Sequence, residues 1–447
     1  MNLLIGGKAF MKTQAVVMVG ALGFALCGCP VGGGAKYAVG GTVTGSQAGG
    51  LVLQLNGSDD LSFSASGGFV FGNRLANSAA YAVTIKTQPA NQACTVRNGS
   101  GTIDKASVSN VIVSCTQTGR FAYVANRQSA TVSAYAIDVN GALIPISGSP
   151  FATNGTAPSA LTVDPNGQFL YVANTGSSTV SIFSIAAATG ALTAVGFPVA
   201  TGTGPDAVTV DPTDHFLYVA NMTSNNVSAY ALDNGVLTQV AGSPFNVGAQ
   251  PVSLTIDPNG NFLYATNFTG NNVTVFLIDL ANGTLSNVSG SPFSTGAGPL
   301  SIAIDPTDAF AFVANEAANS ISAYSLNASS GALTAVSGSP FAAVTNVEAL
   351  AVDPAGRFVF AANAAAADQI ATYSITPTSG ALTLVSTTPA GALPTGIAID
   401  PSGQFLYAVN FNSNDVSAYA IMPSGALTPI AGSRFAAGGE PHAVAID

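Results

Sequence analysis

The chain has 447 residues, 48% hydrophobic and only 7% charged, with 49 glycines and 24 prolines; it has ample material for a buried core and many tight turns, which excludes an intrinsically disordered chain. Lys plus Arg number 11 against 21 Asp plus Glu, a net charge of −10, so the counter-charges for a phosphate backbone are missing and no nucleic acid is expected as a partner. No lysine follows Lys105 and the only later arginines are Arg120, Arg127, Arg357 and Arg434, so a strong polyanion or phosphosugar site would have to be built from very little.

At the amino terminus, Lys8 and Lys12 precede "AVVMVGALGFAL", an apolar stretch too short to span a bilayer comfortably. It runs into "LCGC" at 26–29, which resembles a bacterial lipobox. By that resemblance residues 1–28 are a lipoprotein signal peptide and Cys29 is the lipidated residue, giving the protein a membrane partner through a lipid anchor. The other reading is a cleaved secretory signal with incidental cysteines. A glycine-rich tether, 29–36, follows. Pro30 supplies no aspartate retention signal, so by resemblance to enterobacterial lipoproteins an exported, outer-membrane placement in the cell envelope is favoured.

Residues 37–117 carry short alternating segments such as "GLVLQL", "LSFSAS", "GFVFG" and "YAVTIKT", separated by Gly, Asn, Asp and Ser clusters. That pattern predicts a small β-sandwich. With Cys27 lost with the signal and Cys29 lipidated, Cys94 and Cys115 remain, and outside the reducing cytoplasm they are expected to pair. There is no Cys/His set with metal-ligand spacing, so no metal and no cofactor is implied.

From Phe121 the sequence becomes periodic, with the phenylalanine recurring at 121, 169, 216, 262, 310, 358 and 405. Each unit reads as four strands, exemplified by "ALTVD" (160–164), "FLYVAN" (169–174), "TVSIFSI" (179–185) and "ALTAVG" (191–196). Four short strands repeated radially predict a β-propeller, so the expected fold class is all-β, a seven-bladed propeller over 120–447 preceded by the sandwich. In "FLYVAN" both alternating faces are apolar, as in a strand packed inside a blade between two other blades. "DPNG" (164–167) and its counterparts suit a type I turn between first and second strands. Asn174 and its equivalents end the second strand, where the amide is expected to satisfy turn backbone groups. The first repeat lacks a first strand, and the sole candidate is "AVAID" (443–447), so the end of the chain is expected to close the ring.

"FLYVAN", "NNVSAYAL", "GALTAVSGSPF" and "IAIDPSGQFLYAVN" resemble the YVTN-type seven-bladed propellers, which group with the lactonase-like family related to bacterial 6-phosphogluconolactonase. The resemblance covers Arg120–Asp447. It implies a propeller fold and, as an activity, opening of a lactone ring, although fold alone does not carry function.

The "DPxG" turns barely vary and lie on one face; the loops of the opposite, upper face vary greatly. The aligned positions entering each first strand on that face are Ser159, Asp206, Val252, Leu300, Glu348, Thr395 and His442, which are expected to ring the mouth of the central channel. Arg127 borders the closing blade, and "GSRFAAGGEPHA" brings Arg434 and Glu440 towards the same seam. One reading makes His442 a general base, has Arg127 or Arg434 hold a carboxylate or polarise a carbonyl, and has Glu348 or Asp206 orient the histidine; Ser159, Asp206, Thr395 and Glu440 would bind. The other reading makes these ordinary solvated rim residues. His215 reads as a surface substituent, and no "GxSxG" elbow occurs. The reading favoured by sequence is therefore an envelope lipoprotein whose upper face binds a protein, glycan or small molecule; the alternatives are a lactonase-like hydrolase around His442 and a purely structural or adhesive ring.

Overall fold

Every regular element is a strand in the computed structural model, which describes residues 35–45, 50–88, 92–117, 120–364 and 368–447. The expected signal segment, Cys29 and the expected tether up to residue 34 lie outside the described residues. The described residues divide into two compact units, one of them comprising 35–45, 51–87 and 95–114, the other chiefly those from 115 onward.

The N-terminal strands form two four-stranded sheets and a two-stranded one, Lys36–Tyr37 with Leu75–Ala76. One four-stranded sheet has the spatial order Gly67–Val70, Val39–Thr44, Val108–Gln117, Gln92–Arg97; the other Asp59–Phe63, Leu51–Leu55, Ala80–Thr87, Ser100–Thr102. Period-2 burial is plain in Leu51, Leu53 and Leu55, all fully buried while Val52 and Gln54 are partly exposed. Cys94 and Cys115 are joined in a disulfide that bridges two neighbouring strands of the first sheet.

From Arg120 onward seven separate sheets succeed one another. We number the blades 1–7 by the chain order of their "FLYVAN"-type strands. In blade 2 the order from axis to rim is Pro158–Val163 (inner), Phe169–Asn174 (second), Thr179–Ile185 (third), Leu192–Ala194 (outer). Inner strands begin at Pro205, Pro251, Pro299, Val347 and Pro394 in blades 3 to 7. Blade 1 takes its inner strand from the end of the chain: Pro441–Ile446 pairs antiparallel with Arg120–Asn126, matching Ala122 with Ile446 and Ala125 with Ala443. The Phe121 amide donates to the Asp447 carboxylate at 2.5 Å. Beside this join the buried Arg120 guanidinium pairs with Asp400 of blade 7 at 2.5 Å and lies over the Phe405 ring.

Each junction between neighbouring blades has its own apolar cluster, seven in all. That is why the second strands are apolar on both faces: Tyr171 and Ala173 pack towards blade 3, Leu170 and Val172 towards blade 1. Full burial of a leucine or valine such as Leu170 or Val172 stabilises the ring by about 1.5–3 kcal/mol. The repeated tyrosine adds a directional contact, since Tyr123, Tyr218, Tyr264 and Tyr407 donate to the carbonyls of Gly190, Gly283, Gly331 and Gly141 across the junction.

Two local expectations are corrected. Most blades carry more than the four strands expected: after the "GSPF"-type turn a further short strand returns to the third, so that Leu333–Ala335 and Phe341–Ala342 both pair with the third strand of blade 5, whereas blade 6, with no such turn, keeps Leu382–Pro389 as one strand. The repeated asparagine does not chiefly serve turn backbone. Its Nδ2 bridges to side chains of the third strand, from Asn174 to Thr179 and Ser181 and from Asn410 to Asp415 and Ser417, because the antiparallel pairing places those groups beside it. The "DPxG" turns are closed by Gly167 N–H donating to the Asp164 carbonyl, while the Asp164 carboxylate accepts from the amides of Gln168 and Phe169.

Candidate functional site

The upper end of every inner strand is built the same way. A residue with positive φ comes first: Ala157, Gly204, Gln250, Gly298, Asn346, Leu393 and Glu440. Its carbonyl accepts the amide of the residue that follows the repeated asparagine, as in Arg127 N–H to Glu440 and Thr175 N–H to Ala157. Proline, or Val347 in blade 6, begins the strand, and the pairing register then slips by one, between Pro158 and Ala160 and at the equivalent place in every blade. A β-bulge re-aims a side chain. Here it turns two consecutive residues of each inner strand towards the axis: the bulged one, Ser159, Asp206, Val252, Leu300, Glu348, Thr395 or His442, and a small one behind it, Ala160, Ala207, Ser253, Ser301, Ala349, Gly396 or Ala443. The second must be small because the strands converge; a Cβ on Gly396 would sit 2.8 Å from the His442 carbonyl oxygen.

These residues line a cavity of about 280 Å³ at the mouth of the channel. Since the inner strands contact one another in the order of the blades and close between blades 2 and 1, the sequence of side chains around the mouth is fixed. Glu348, Thr395, His442, Ser159 and Asp206 form a continuous polar arc, and Val252 with Leu300 complete the ring opposite His442.

His442 is the best-defined group. Its Nδ1 lies 2.9 Å from the Ser159 carbonyl oxygen. A carbonyl accepts only, so Nδ1 carries the hydrogen and Nε2 is left with its lone pair. Burial pulls the imidazole below its ordinary pKa, against the charge of Asp206 and the Ser159 contact; the Arg127 charge pulls in the same direction as burial. The ring also meets Phe411 edge-on at 6.2 Å between centroids. Burial raises the Asp206 carboxyl, opposed by the charges of His442 and Arg127 and by the hydroxyls of Ser159 and Thr175. The Thr175 hydroxyl donates to Ser159 Oγ at 2.5 Å. On the other side of the arc Glu348 is pushed up to about 7, by burial first and the neighbouring Glu316 charge second. Its Oε1 accepts from Asn346 at 3.2 Å. The Thr395 hydroxyl faces the carbonyls of Pro441 and His442.

The mouth therefore brings together Ser159, Asp206, Glu348, Thr395 and His442, with Arg127 close enough for its charge to act on both Asp206 and His442. Arg434 is elsewhere: its guanidinium pairs with Asp415 at 3.0 Å, half exposed, because the residue occupies the turn that precedes the further short strand of blade 7, at the rim. Glu440 contributes backbone, its amide donating to Asn414 and its carbonyl accepting from Arg127, and a charge that acts weakly on His442, while its side chain is not part of the cavity wall. The histidine is oriented by the Ser159 backbone rather than by Asp206 or Glu348, which stand two blades away on either side. His215 is exposed on the lower face, where its Nδ1 meets the Thr213 hydroxyl. A second tier is absent from the sequence reading apart from Arg127. It consists of the residues after the repeated asparagines: Thr175, Met222, Phe268, Glu316, Ala364 and Phe411. The signal for it is the abrupt variability of that one column beside an invariant asparagine.

A family model described as lactonase, seven-bladed β-propeller, matches residues 113–249, 238–348 and 291–446. No curated protein sequence matches the chain. Among solved structures, a provisionally assigned 6-phosphogluconolactonase from Bacteroides uniformis is similar with a TM-score of 0.66 and 22% identity over 74% of this chain and 100% of that one. The periplasmic gluconolactonase of Pseudomonas aeruginosa is similar with a TM-score of 0.64 and 20% identity over 74% of this chain and 99% of that one. At such identities the likeness is one of fold.

Proposed function

The chain belongs to the seven-bladed β-propeller lactonase family, and from that premise we propose that it hydrolyses a lactone at the mouth of its central channel, with His442 as general base. The observation that carries the proposal is the contact of His442 Nδ1 with the Ser159 carbonyl, 2.9 Å. It fixes the tautomer that leaves Nε2 free to take a proton, in a cavity where burial keeps the ring neutral. Water attacks the lactone carbonyl carbon as Nε2 accepts its proton. The ring C–O bond then breaks, and the imidazolium returns the proton to the departing alkoxide, giving the hydroxy acid. Glu348, with a pKa of about 7, is partly un-ionised at neutral pH and can donate a hydrogen bond across the arc to charge developing on oxygen. Among the described residues Arg127 is the only cation acting on His442, which argues against a phosphorylated substrate, whose dianion calls for more than one.

The test is hydrolysis of a panel of five- and six-membered lactones by the purified chain and by His442→Asn. Turnover is expected to fall by about 10²–10⁴-fold in the variant, the range for losing a general base. Rates equal to the uncatalysed background with both proteins would overturn the hydrolase reading and leave the mouth as a binding site for a small ligand.

A further inference from the structure

The mouth is two-sided. Directly across the channel from His442 stand Val252 and Leu300, both half-buried and both lining the cavity. They interrupt what would otherwise be a fully polar ring. The apolar character continues on the tier above, where Met222 of blade 3 and Phe268 of blade 4 are neighbours. The Phe268 ring leans on the segment leading to Leu300, its Cε2 lying 3.3 Å from the place a Cβ on Gly298 would take. Behind this wall Ser301 already accepts the Leu350 amide at 3.1 Å, and Ser253 is the other hydroxyl at that depth. Asp206 and Glu348 flank the pair on either side, and among the described lining residues no charged side chain stands between them.

A ligand whose reacting carbonyl sits at His442 turns its far edge to Val252 and Leu300. Hydroxyls on that edge would exchange water for methyl groups and lose their hydrogen bonds, whereas methylenes there would be buried favourably. A cavity of about 280 Å³ is at the small end of ligand sites, which suits a ring with a short substituent rather than a polymer. Resting on the lactone reading above, we infer that the substrate is a lactone bearing a short alkyl substituent on the carbon opposite its carbonyl, not a polyhydroxylated sugar lactone. Val252 and Leu300 are then the residues that set specificity.

Binding is measured with ring amides, which resist hydrolysis, so that ligand class is read apart from catalysis. Calorimetric titration of the purified full chain would use δ-valerolactam, its 5-methyl, 5-ethyl and 5-propyl derivatives, and gluconolactam. The same set is applied to the double variant Val252→Ser, Leu300→Thr, which introduces the residue types that blades 2 and 7 already carry at this position, Ser159 and Thr395, and so preserves the fold. Affinity is expected to rise about fourfold per added methylene in the native protein, with gluconolactam weaker than the propyl derivative, and the series is expected to flatten in the variant. A flat or undetectable series, tighter binding of gluconolactam, or a slope unchanged by the double variant would overturn the inference. An alkyl slope without turnover of the matching lactones would end the hydrolase reading and leave the ligand class standing. Turnover with preference for gluconolactone would do the reverse.

Discussion

At the scale of single residues, the mouth contains three groups whose protonation is shifted chiefly by burial, His442, Asp206 and Glu348, and for the first and last the shift has a consequence in solution. His442 is depressed below the ordinary 6.5, so its base form persists on the acid side. The rate kcat/KM is expected to stay level as pH falls past that value and to drop only at lower pH. Glu348 is raised to about 7. If its neutral form assists, kcat/KM declines as pH rises through that value, and Glu348→Gln removes this alkaline limb; a limb that survives in the variant would assign it to another group. The same shift has a stability consequence. A carboxyl with a raised folded pKa binds more protons folded than unfolded, so its contribution is full below 4.5, the unfolded value, and is lost as pH rises through about 7. Glu348→Gln is therefore expected to unfold at a higher temperature than the native chain at pH above about 7, with the gap closing in acid. His442, Asp206 and Glu348 were legible in the sequence because their column varies from blade to blade where the Asp-Pro turns of the opposite face do not, and because they are its three ionisable members. Arg434 interrupts its column just as clearly, yet it faces Asp415 at the rim; departure from a repeat says that a position differs and not where its side chain goes.

At the scale of elements, the phrase repeated along the chain proves to be an interlock between blades. The glycine that opens each outer segment takes a positive φ, +70° at Gly331, and lies against the phenylalanine that starts a neighbouring blade's second strand. A Cβ on Gly331 would fall 2.5 Å from Phe262 Cδ1. Gly331→Ala thus combines left-handed strain with overpacking and is expected to cost about 2 kcal/mol or more, read as a lowered denaturant midpoint at unchanged m; a cost under about 0.5 kcal/mol, the scale of an ordinary surface substitution, would mean that the interlock relaxes freely. Strand identity and turn type could be read directly, since alternation and Asp-Pro-x-Gly chemistry are local properties. The further short strand could not be foreseen from its composition alone, because it depends on whether both outer segments reach the third strand, as Leu333–Ala335 and Phe341–Ala342 do.

At the scale of the whole molecule, the ring is held shut by the last residues of the chain. Deleting 441–447 would leave Arg120–Asn126 without its inner partner and strip Ala443, Val444, Ala445 and Ile446 from the clusters on both sides of blade 1. It would also remove His442 from the mouth. The loss is expected to approach the whole stability of a domain, about 5–15 kcal/mol, seen calorimetrically as a collapsed or absent cooperative transition; a deletion that melts like the intact chain would refute closure as the stabilising step. Sequence by itself determined the period, the strands, the number of blades and the column that becomes the mouth, because hydrophobic alternation and repetition act over a few residues at a time. Only the tertiary structure decided that His442 meets the carbonyl of Ser159, 283 residues away, that Arg120 meets Asp400 across 280 residues, and that Val252 and Leu300 stand opposite the histidine. Those encounters depend on how the bulges aim the inner strands and on the angle at which the blades close, which are properties of the completed ring and of no segment within it.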